Sequence, residues 1–579
     1  MKRSTVALLL VLLLSLNEAG AGIPLPPLAP GTPHYFDEFH PELSPWTPGP
    51  ERNFEEVFKN SRYFQLIFDE AGGAFTVRHY QQGNLAETRR FRIQDDGSLQ
   101  PIGDAHRSAT EQLYDTLCAS CHGRQRLGGI GPALLPENLD RLRPEAAADA
   151  IREGRIATQM PAFGKRLSED QIAGLVDHIY KPPAQAVSWG DTEIRGSRIL
   201  YQPGASTGTV PNFDADPLNL TLVVEAGDHH ITIVDGDRLE PLHRFPTRFA
   251  LHGGLKFSPD GRFVYMASRD GWVTKYDLYR LTPVADIRVG INTRNIAVSG
   301  DGRYLLAGNY LPRSVVLLDT QDLALLRVIP AAGVDGAPSR VSAVYQAAPR
   351  GSFVVALKDV PELWEIAYDG KHFPIRRIRL ERVLDDFLFD QDYRYVIGAD
   401  RASEGGQVVD LDTGTVVATL ELTGMPHLGS GITWTYQGRP VMATPNLKRG
   451  EVDVIDMGSW RTIKRIKTLG PGFFMRSHEN TPYAWVDVFF GENKDALHVI
   501  SKDTLEIVAT LRPEKGKTAG HVEFTRGGRY ALVSLWEMDG ALIVYDARTL
   551  KEVKRLPMKK PAGKYNVYNK ITRSAGTSH

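Results

Sequence analysis

Cysteine is almost absent from this chain: Cys118 and Cys121 are the only two in 579 residues. That scarcity excludes a zinc centre built from four thiolates and leaves no disulfide framework if both thiols serve one site. A dominant charge is missing as well. The chain has 68 Lys and Arg against 69 Asp and Glu, a net charge of -1, which argues against a nucleic-acid surface or an acidic tail. Long apolar runs are also lacking. The one candidate, residues 6–16, is too short for an ordinary transmembrane helix. It follows Met1-Lys2-Arg3 and precedes Ala19-Gly20-Ala21, so residues 1–21 read as a secretory signal cleaved after Ala21, with an uncleaved anchor as the alternative. Export from a bacterial cytoplasm, and hence the periplasm, is the expectation.

Glycine and proline are plentiful: 54 and 37, with 42% hydrophobic residues. That mixture suits a turn-rich, mainly β protein, and the length suffices for two or three domains. Residues 22–50 are rich in proline and read as an extended linker. Short strands at 63–68, 74–80 and 89–93, separated by turn residues, make residues 22–105 a linker and small β-meander that announces no chemistry.

The two cysteines fall in Cys118-Ala119-Ser120-Cys121-His122. C-x-x-C-H is the attachment signature of a c-type haem: the thiols add to the porphyrin vinyl groups and the histidine supplies an axial nitrogen. A redox dithiol and a buried structural pair are the other readings of the bare C-x-x-C. A helix over 108–117 leads into the motif, and Gly128, Gly129 and Gly131-Pro132 form a tight loop after it. Further helices are expected over 144–153 and 168–180, the latter capped by Ser168. Met160, followed by Pro161, is the candidate sixth ligand, with gap-filling in the core as the alternative. Together these features make residues 106–185 an α-helical domain resembling class I cytochrome c.

The remainder repeats. Ser258-Pro-Asp-Gly-Arg-Phe-Val recurs from Ser299, Asp390 and Thr525, at separations of 41, 91 and 135 residues. These are one, two and three steps of about 45, with weaker copies at 349, 437 and 480. Strands ending in Val/Ile-x-Asp follow, as in Ile233-Val234-Asp235 and Val544-Tyr545-Asp546. Four short strands per repeat is a propeller-blade pattern. Seven cassettes and an opening segment over 220–235 give eight blades in residues 190–570, leaving 571–579 as a tail. A non-enzymatic scaffold that binds a protein is the other reading of such a ring.

A class I cytochrome c joined to an eight-bladed propeller resembles the cytochrome cd1 family, whose propeller holds haem d1. Phe249-Ala250-Leu251-His252, Ser268-Arg269-Asp270, residues 289–294 ending in Arg294, Ala307-Gly308-Asn309-Tyr310, Met425-Pro426-His427 and Gly563-Lys564-Tyr565-Asn566-Val567-Tyr568-Asn569 carry the resemblance. It implies His252 as an axial ligand of the d1 iron, and Arg269 and Arg294 as partners of the macrocycle's carboxylates. Nitrite reductases of the family carry two distal histidines. At the corresponding places this chain has Gln346 and Asp385, which suit neither proton donation nor nitrite binding.

The resemblance therefore points to the branch that acts in haem d1 biosynthesis. Its members oxidise a propionate of dihydro-haem d1 to an acrylate and pass electrons to the covalent haem c. His427, His521 and His478 are candidate bases, Tyr310 is a candidate wall or proton donor, and Trp536 and Phe474 are candidate stacking residues. The implied partners are the tetrapyrrole substrate, a cytochrome cd1 nitrite reductase as product acceptor and a small electron-acceptor protein, with no nucleic acid and no membrane span once the signal is removed. A nitrite reductase with altered distal residues and a non-catalytic d1 carrier or electron-transfer protein are the alternatives.

Overall fold

The computed structural model describes backbone strands at residues 33–37, 62–68, 74–81, 84–93 and 99–101. It then describes residues 108–572, except for 130, 156–159, 184–185, 202–207, 209, 252–253, 371 and 401–403. The signal segment, residues 573–579 and His252 lie outside the described residues. Two compact units divide at residues 112 and 113. In the first, five antiparallel strands, Pro33–Asp37, Arg62–Phe68, Ala74–Gln81, Asn84–Ile93 and Leu99–Pro101, pair in chain order. The linker expectation gives way at Pro33–Asp37, which pairs with Arg62–Phe68 as an edge strand.

The second unit opens with the cytochrome-like helices. Glu169–Tyr180 begins where the sequence predicts: Gln171 N–H donates to Ser168 Oγ at 3.2 Å and Ser168 N–H to Gln171 Oε1 at 2.9 Å. This reciprocal cap satisfies two of the amides that a helix start leaves open. Its apolar face, Ile172, Leu175, Val176 and Ile179, packs on Tyr114, Ile151 and Phe163. Short helices at Pro136–Leu139 and Asp191–Gly196 were not foreseen.

Eight four-stranded antiparallel sheets follow in a ring, one of them extended at its edge by Ile199–Leu200. The repeated cassettes have a common local cause. Phe263 N–H donates to Ser258 Oγ at 2.9 Å, Tyr304 N–H to Ser299 Oγ at 2.9 Å, Tyr530 N–H to Thr525 Oγ1 at 3.2 Å and Tyr395 N–H to Asp390 Oδ1 at 2.7 Å. The first side chain of each cassette thus closes its own turn. The aspartates that end the third strands do the same. Asp235 Oδ1 takes the amides of Asp237 and Arg238, and Asp546 Oδ1 those of Arg548 and Thr549. Four residues after these aspartates, Leu239 and Leu550 adopt φ of 57° and 58°, an αL conformation costly for a branched side chain.

The ring closes by pairing its ends: Pro561–Asn566 lies against Leu220–Glu225, so the last sheet takes one strand from the C-terminus and three from the start of the propeller. Closure removes exposed edges. Asn566 seals it, its Nδ2 reaching Thr221 Oγ1 at 3.3 Å and Leu220 O at 3.4 Å, while Asn569 N–H donates to its Oδ1 at 3.2 Å. Asn566→Ala leaves these buried groups without a partner. It is expected to destabilise the propeller by about 2 kcal/mol, read as a lower urea midpoint at unchanged slope.

Candidate functional site

His122 ends the short helix Ala119–His122, and its Nδ1–H donates to Pro132 O at 2.8 Å. That bond fixes the tautomer and leaves Nε2 as the nitrogen with a lone pair, as an iron-bound histidine requires. Cys118 and Cys121 are free thiols on the same loop. Gly131 admits the ring, since a Cβ there would stand 2.7 Å from His122 Cε1. The donor set and its apolar shell fit a covalent haem c. Met160 packs at the edge of the same helical core.

The haem-loop domain rests on the propeller. Arg288 Nη2 donates to Leu127 O at 2.5 Å, Asn138 Nδ2 to Ile291 O at 3.0 Å and Trp189 Nε1 to Arg288 O at 2.9 Å. Ala133, Leu135 and Ile291 form an apolar contact between the two.

A cavity of about 610 Å³ opens at one mouth of the ring, with Arg141 from the cytochrome region among its walls. Arg269, Arg294, His427 and His521 line it together with Phe474 and Trp536. His252 is outside the described residues, but Leu251 and Gly254 on either side of it line the same cavity. Tyr310 and His478 are not among the lining residues. Tyr310 lies under the Arg340 guanidinium, 5.5 Å from its ring centroid. His478 is fully buried, its Nδ1 accepting the Asn480 N–H at 3.1 Å and its Nε2 3.2 Å from Arg526 O.

The expected distal positions shift by one residue. Tyr345 and Asp386 line the cavity, where the sequence reading placed Gln346 and Asp385. Alternate residues of a strand point to opposite faces, and Asp385 pairs instead with Lys358. Tyr345 Oη–H donates to Asp386 Oδ1 at 2.7 Å. His427 Nδ1–H donates to Phe473 O at 2.6 Å, and its Nε2 stands 3.8 Å from Asp386 Oδ2.

His521 is aimed by a backbone irregularity. Its strand, Ala519–Phe524, shifts register between Gly520 and Glu523, and His521 itself has φ of 50°, the kind of local strain found at functional positions. Asp487, which sequence reasoning missed, holds this wall in place. Its buried carboxylate accepts the amides of Phe473 at 2.7 Å, Phe474 at 3.0 Å and His521 at 3.1 Å. Burial raises its pKa to about 6 against the pull of those amides.

Cations gather below. Arg476 is 4% exposed and lines the cavity, while Lys564 is fully buried with Nζ donating to Ser534 Oγ at 2.6 Å. Burial lowers the pKa of Lys564 and Lys570 to about 7 and that of Lys256 to about 8. Burial first, then Lys564, Arg476 and Lys570, drives the His521 pKa well below its usual value, so its imidazole is neutral. Phe474 packs on that ring at 4.4 Å and Tyr565 at 5.8 Å. An aromatic wall over buried cations suits a flat, polyanionic macrocycle.

Gly131→Ala is expected to dislodge His122 while leaving both cysteine attachments. Haem staining on a denaturing gel should persist and the absorption bands of the native protein should shift; unchanged bands would mean the loop yields to the added methyl group.

Comparison with known proteins accords with this geometry. Residues 215–570 match the cytochrome D1 heme domain family, and residues 106–179 match the family described as cytochrome C oxidase, cbb3-type, subunit III. The chain is 57% identical over 484 residues to a dihydro-heme d1 dehydrogenase of Pseudomonas aeruginosa, spanning 83% of this chain and 98% of that one. Identity to a nitrite reductase of Stutzerimonas stutzeri is 25% over 522 residues, 80% of this chain and 93% of that one. A solved structure of dihydro-heme d1 dehydrogenase NirN in complex with DHE superposes with a TM-score of 0.79 at 58% identity, covering 80% of this chain and 100% of that one. The match over residues 215–570, more than half of the chain, shows that this protein belongs to the cytochrome D1 heme domain family.

Proposed function

We propose that the protein is a dihydro-haem d1 dehydrogenase. It takes dihydro-haem d1 into the propeller cavity and oxidises one propionate side chain to an acrylate; a haem c held by Cys118, Cys121 and His122 would supply the electron acceptor. The observation that carries this reading is the pairing of a neutral imidazole, His521, with the buried guanidinium of Arg476 on one wall of the cavity. A propionate needs both a cation for its carboxylate and a base for its C–H proton.

Charge also decides between the two lining histidines. His427 faces Asp386 at 3.8 Å, and that carboxylate repels a propionate. His521 faces cations, so the reacting side chain docks there. His521 Nδ1 accepts the Lys564 N–H over a long 3.3 Å, a weak bond that gives way when this nitrogen takes the proton. Arg476 fixes the carboxylate, Phe474 and Trp536 exclude water, and Arg269 and Arg294 hold further acidic groups of the ring. His252 would hold the substrate iron, and Met160 would join His122 in holding the iron of haem c, a one-electron acceptor.

The nitrite reductase reading fits less well: the two distal histidines that the family resemblance implies for that reaction are not found at the expected strands, where Tyr345 and Asp386 line the cavity. The signal-like start supports export to the periplasm, and among the described residues no helix is long and apolar enough to cross a membrane. The product would pass to a cytochrome cd1 nitrite reductase in denitrification, and the electrons to a small acceptor protein.

Purified protein given dihydro-haem d1 and a chemical oxidant should form the acrylate product, seen in the absorption spectrum and by mass. Binding without conversion would favour a carrier, and nitric oxide from nitrite would favour the reductase. His521→Ala should lower kcat by about 100-fold or more with substrate still bound. His252→Ala should alter the bound-tetrapyrrole bands and spare those of haem c. Because the depressed pKa keeps His521 unprotonated, activity should hold as pH falls through 6.5 and fail only at lower pH. An acid limb centred at pH 6.5 or above would assign the base elsewhere.

A further inference from the structure

Each turnover of the proposed reaction breaks one Cα–H and one Cβ–H bond, forms one C=C bond, and releases two electrons and two protons. The electrons have the covalent haem and an external one-electron oxidant. The protons start on a wall that the bound macrocycle itself covers, so the route by which they reach water is part of the catalytic problem.

Polar groups in close succession lead away from that wall into the propeller. Tyr565, beside His521, has the Lys570 ammonium 5.7 Å from its ring centroid. Lys570 Nζ stands 4.0 Å from Glu523 Oε2. Glu523 Oε1 accepts from Asn569 Nδ2 at 3.2 Å. Asn569 adjoins His478, which is also within electrostatic reach of Glu523. His478 Nδ1 in turn takes the Asn480 N–H at 3.1 Å. Asn480 lines a second cavity, of about 1210 Å³, whose walls include Gly527, Gly528 and Lys502. The row therefore connects the substrate cavity with a separate opening.

Two features mark this row as more than packing. Glu523 is 0% exposed, yet its Oε2 has no hydrogen-bond partner among the described residues. Buried oxygens of that kind are ordinarily satisfied by internal water, which is also what carries a proton between side chains too far apart to touch. The members of the row are, moreover, groups able to take and give a proton: a lysine, a carboxylate and an imidazole.

Resting on the dehydrogenase reading, we propose that Lys570, Glu523 and His478, with Asn569 positioning the last two, form the proton exit of the enzyme, carrying each proton from His521 through the propeller to the second cavity. The Lys570 pKa, brought down to about 7 by burial and by Arg476, lets that ammonium exchange its proton near neutrality. On this account His478, outside the substrate cavity, still serves the reaction.

The test uses the full-length haem-loaded protein with dihydro-haem d1 and a chemical oxidant, comparing wild type with Glu523→Gln and His478→Gln. Both variants should keep substrate Kd and the melting temperature close to wild type while kcat falls by about tenfold or more. The solvent deuterium isotope effect on kcat should rise, because proton release becomes rate-limiting. Glu523→Asp, which restores a carboxylate, should recover part of the rate. Wild-type kcat and isotope effect in both variants would overturn the proposal, since the protons would then leave by the substrate mouth. Loss of rate together with loss of Kd and melting temperature, at an unchanged isotope effect, would also overturn it and make the row purely structural. A wild-type protein that binds the substrate without converting it would instead refute the dehydrogenase reading itself.

Discussion

Everything in the propeller depends on the pairing of Pro561–Asn566 with Leu220–Glu225. An open ring of blades would expose two sheet edges, and each blade is buried by its neighbours, so a break at one seam costs packing on both sides. The closing strand also forms the substrate wall. Gly563 and Tyr565 line the cavity, the Lys564 amide meets His521, and Asn566 seals the seam. Gly563 is required there, because a Cβ would stand 2.3 Å from the Tyr565 hydroxyl. Ring closure and site assembly are therefore a single event: no catalytic wall exists before the chain's two ends meet.

The same economy couples the haem domain to the cavity. Arg288, on a propeller strand, stacks under Trp189 and holds the carbonyl of Leu127 in the loop after the haem histidine. Its guanidinium passes beside Gly128, where an added Cβ would lie 2.9 Å from Nη2. Arg141 then carries the cytochrome region into the cavity wall. Electron transfer needs a fixed geometry, and these few polar contacts tie together segments about a hundred residues or more apart in the chain.

Legibility in the sequence followed the range of the interactions. The haem loop could be read because C-x-x-C-H is chemistry written in five consecutive residues. The blades could be read because each turn is closed by its own side chain, as Ser258 closes on Phe263 and Asp546 on Thr549. The distal wall was misplaced by one residue, since a strand turns over its faces at every step and no motif fixed the register. Tyr345 and Asp386 thus took the places assigned to Gln346 and Asp385. Asp487, Arg476 and Lys570 stayed hidden because their roles arise only when strands from different blades meet around one axis. Strand Pro33–Asp37, set in a proline-rich stretch, was hidden by a composition that also suits a linker.

The electrostatics of the axis bind these strands of argument together. Lys256, Arg476, Lys564 and Lys570 are held in a low-dielectric interior with Glu523 and Asp487 as acidic neighbours. Burying cations in excess of carboxylates is unfavourable unless an anion completes the set. The closing strand and helix Val567–Ile571 bring Lys564 and Lys570 into place, so ring closure itself creates the unfavourable charge. A polycarboxylate macrocycle relieves it, which makes ligand binding and propeller stability two sides of one linkage. Burial, with these cations beside it, keeps His521 unprotonated and ready to act as a base. A cavity that gathers cations for an anionic substrate is thereby also one in which the base is held neutral before the substrate arrives.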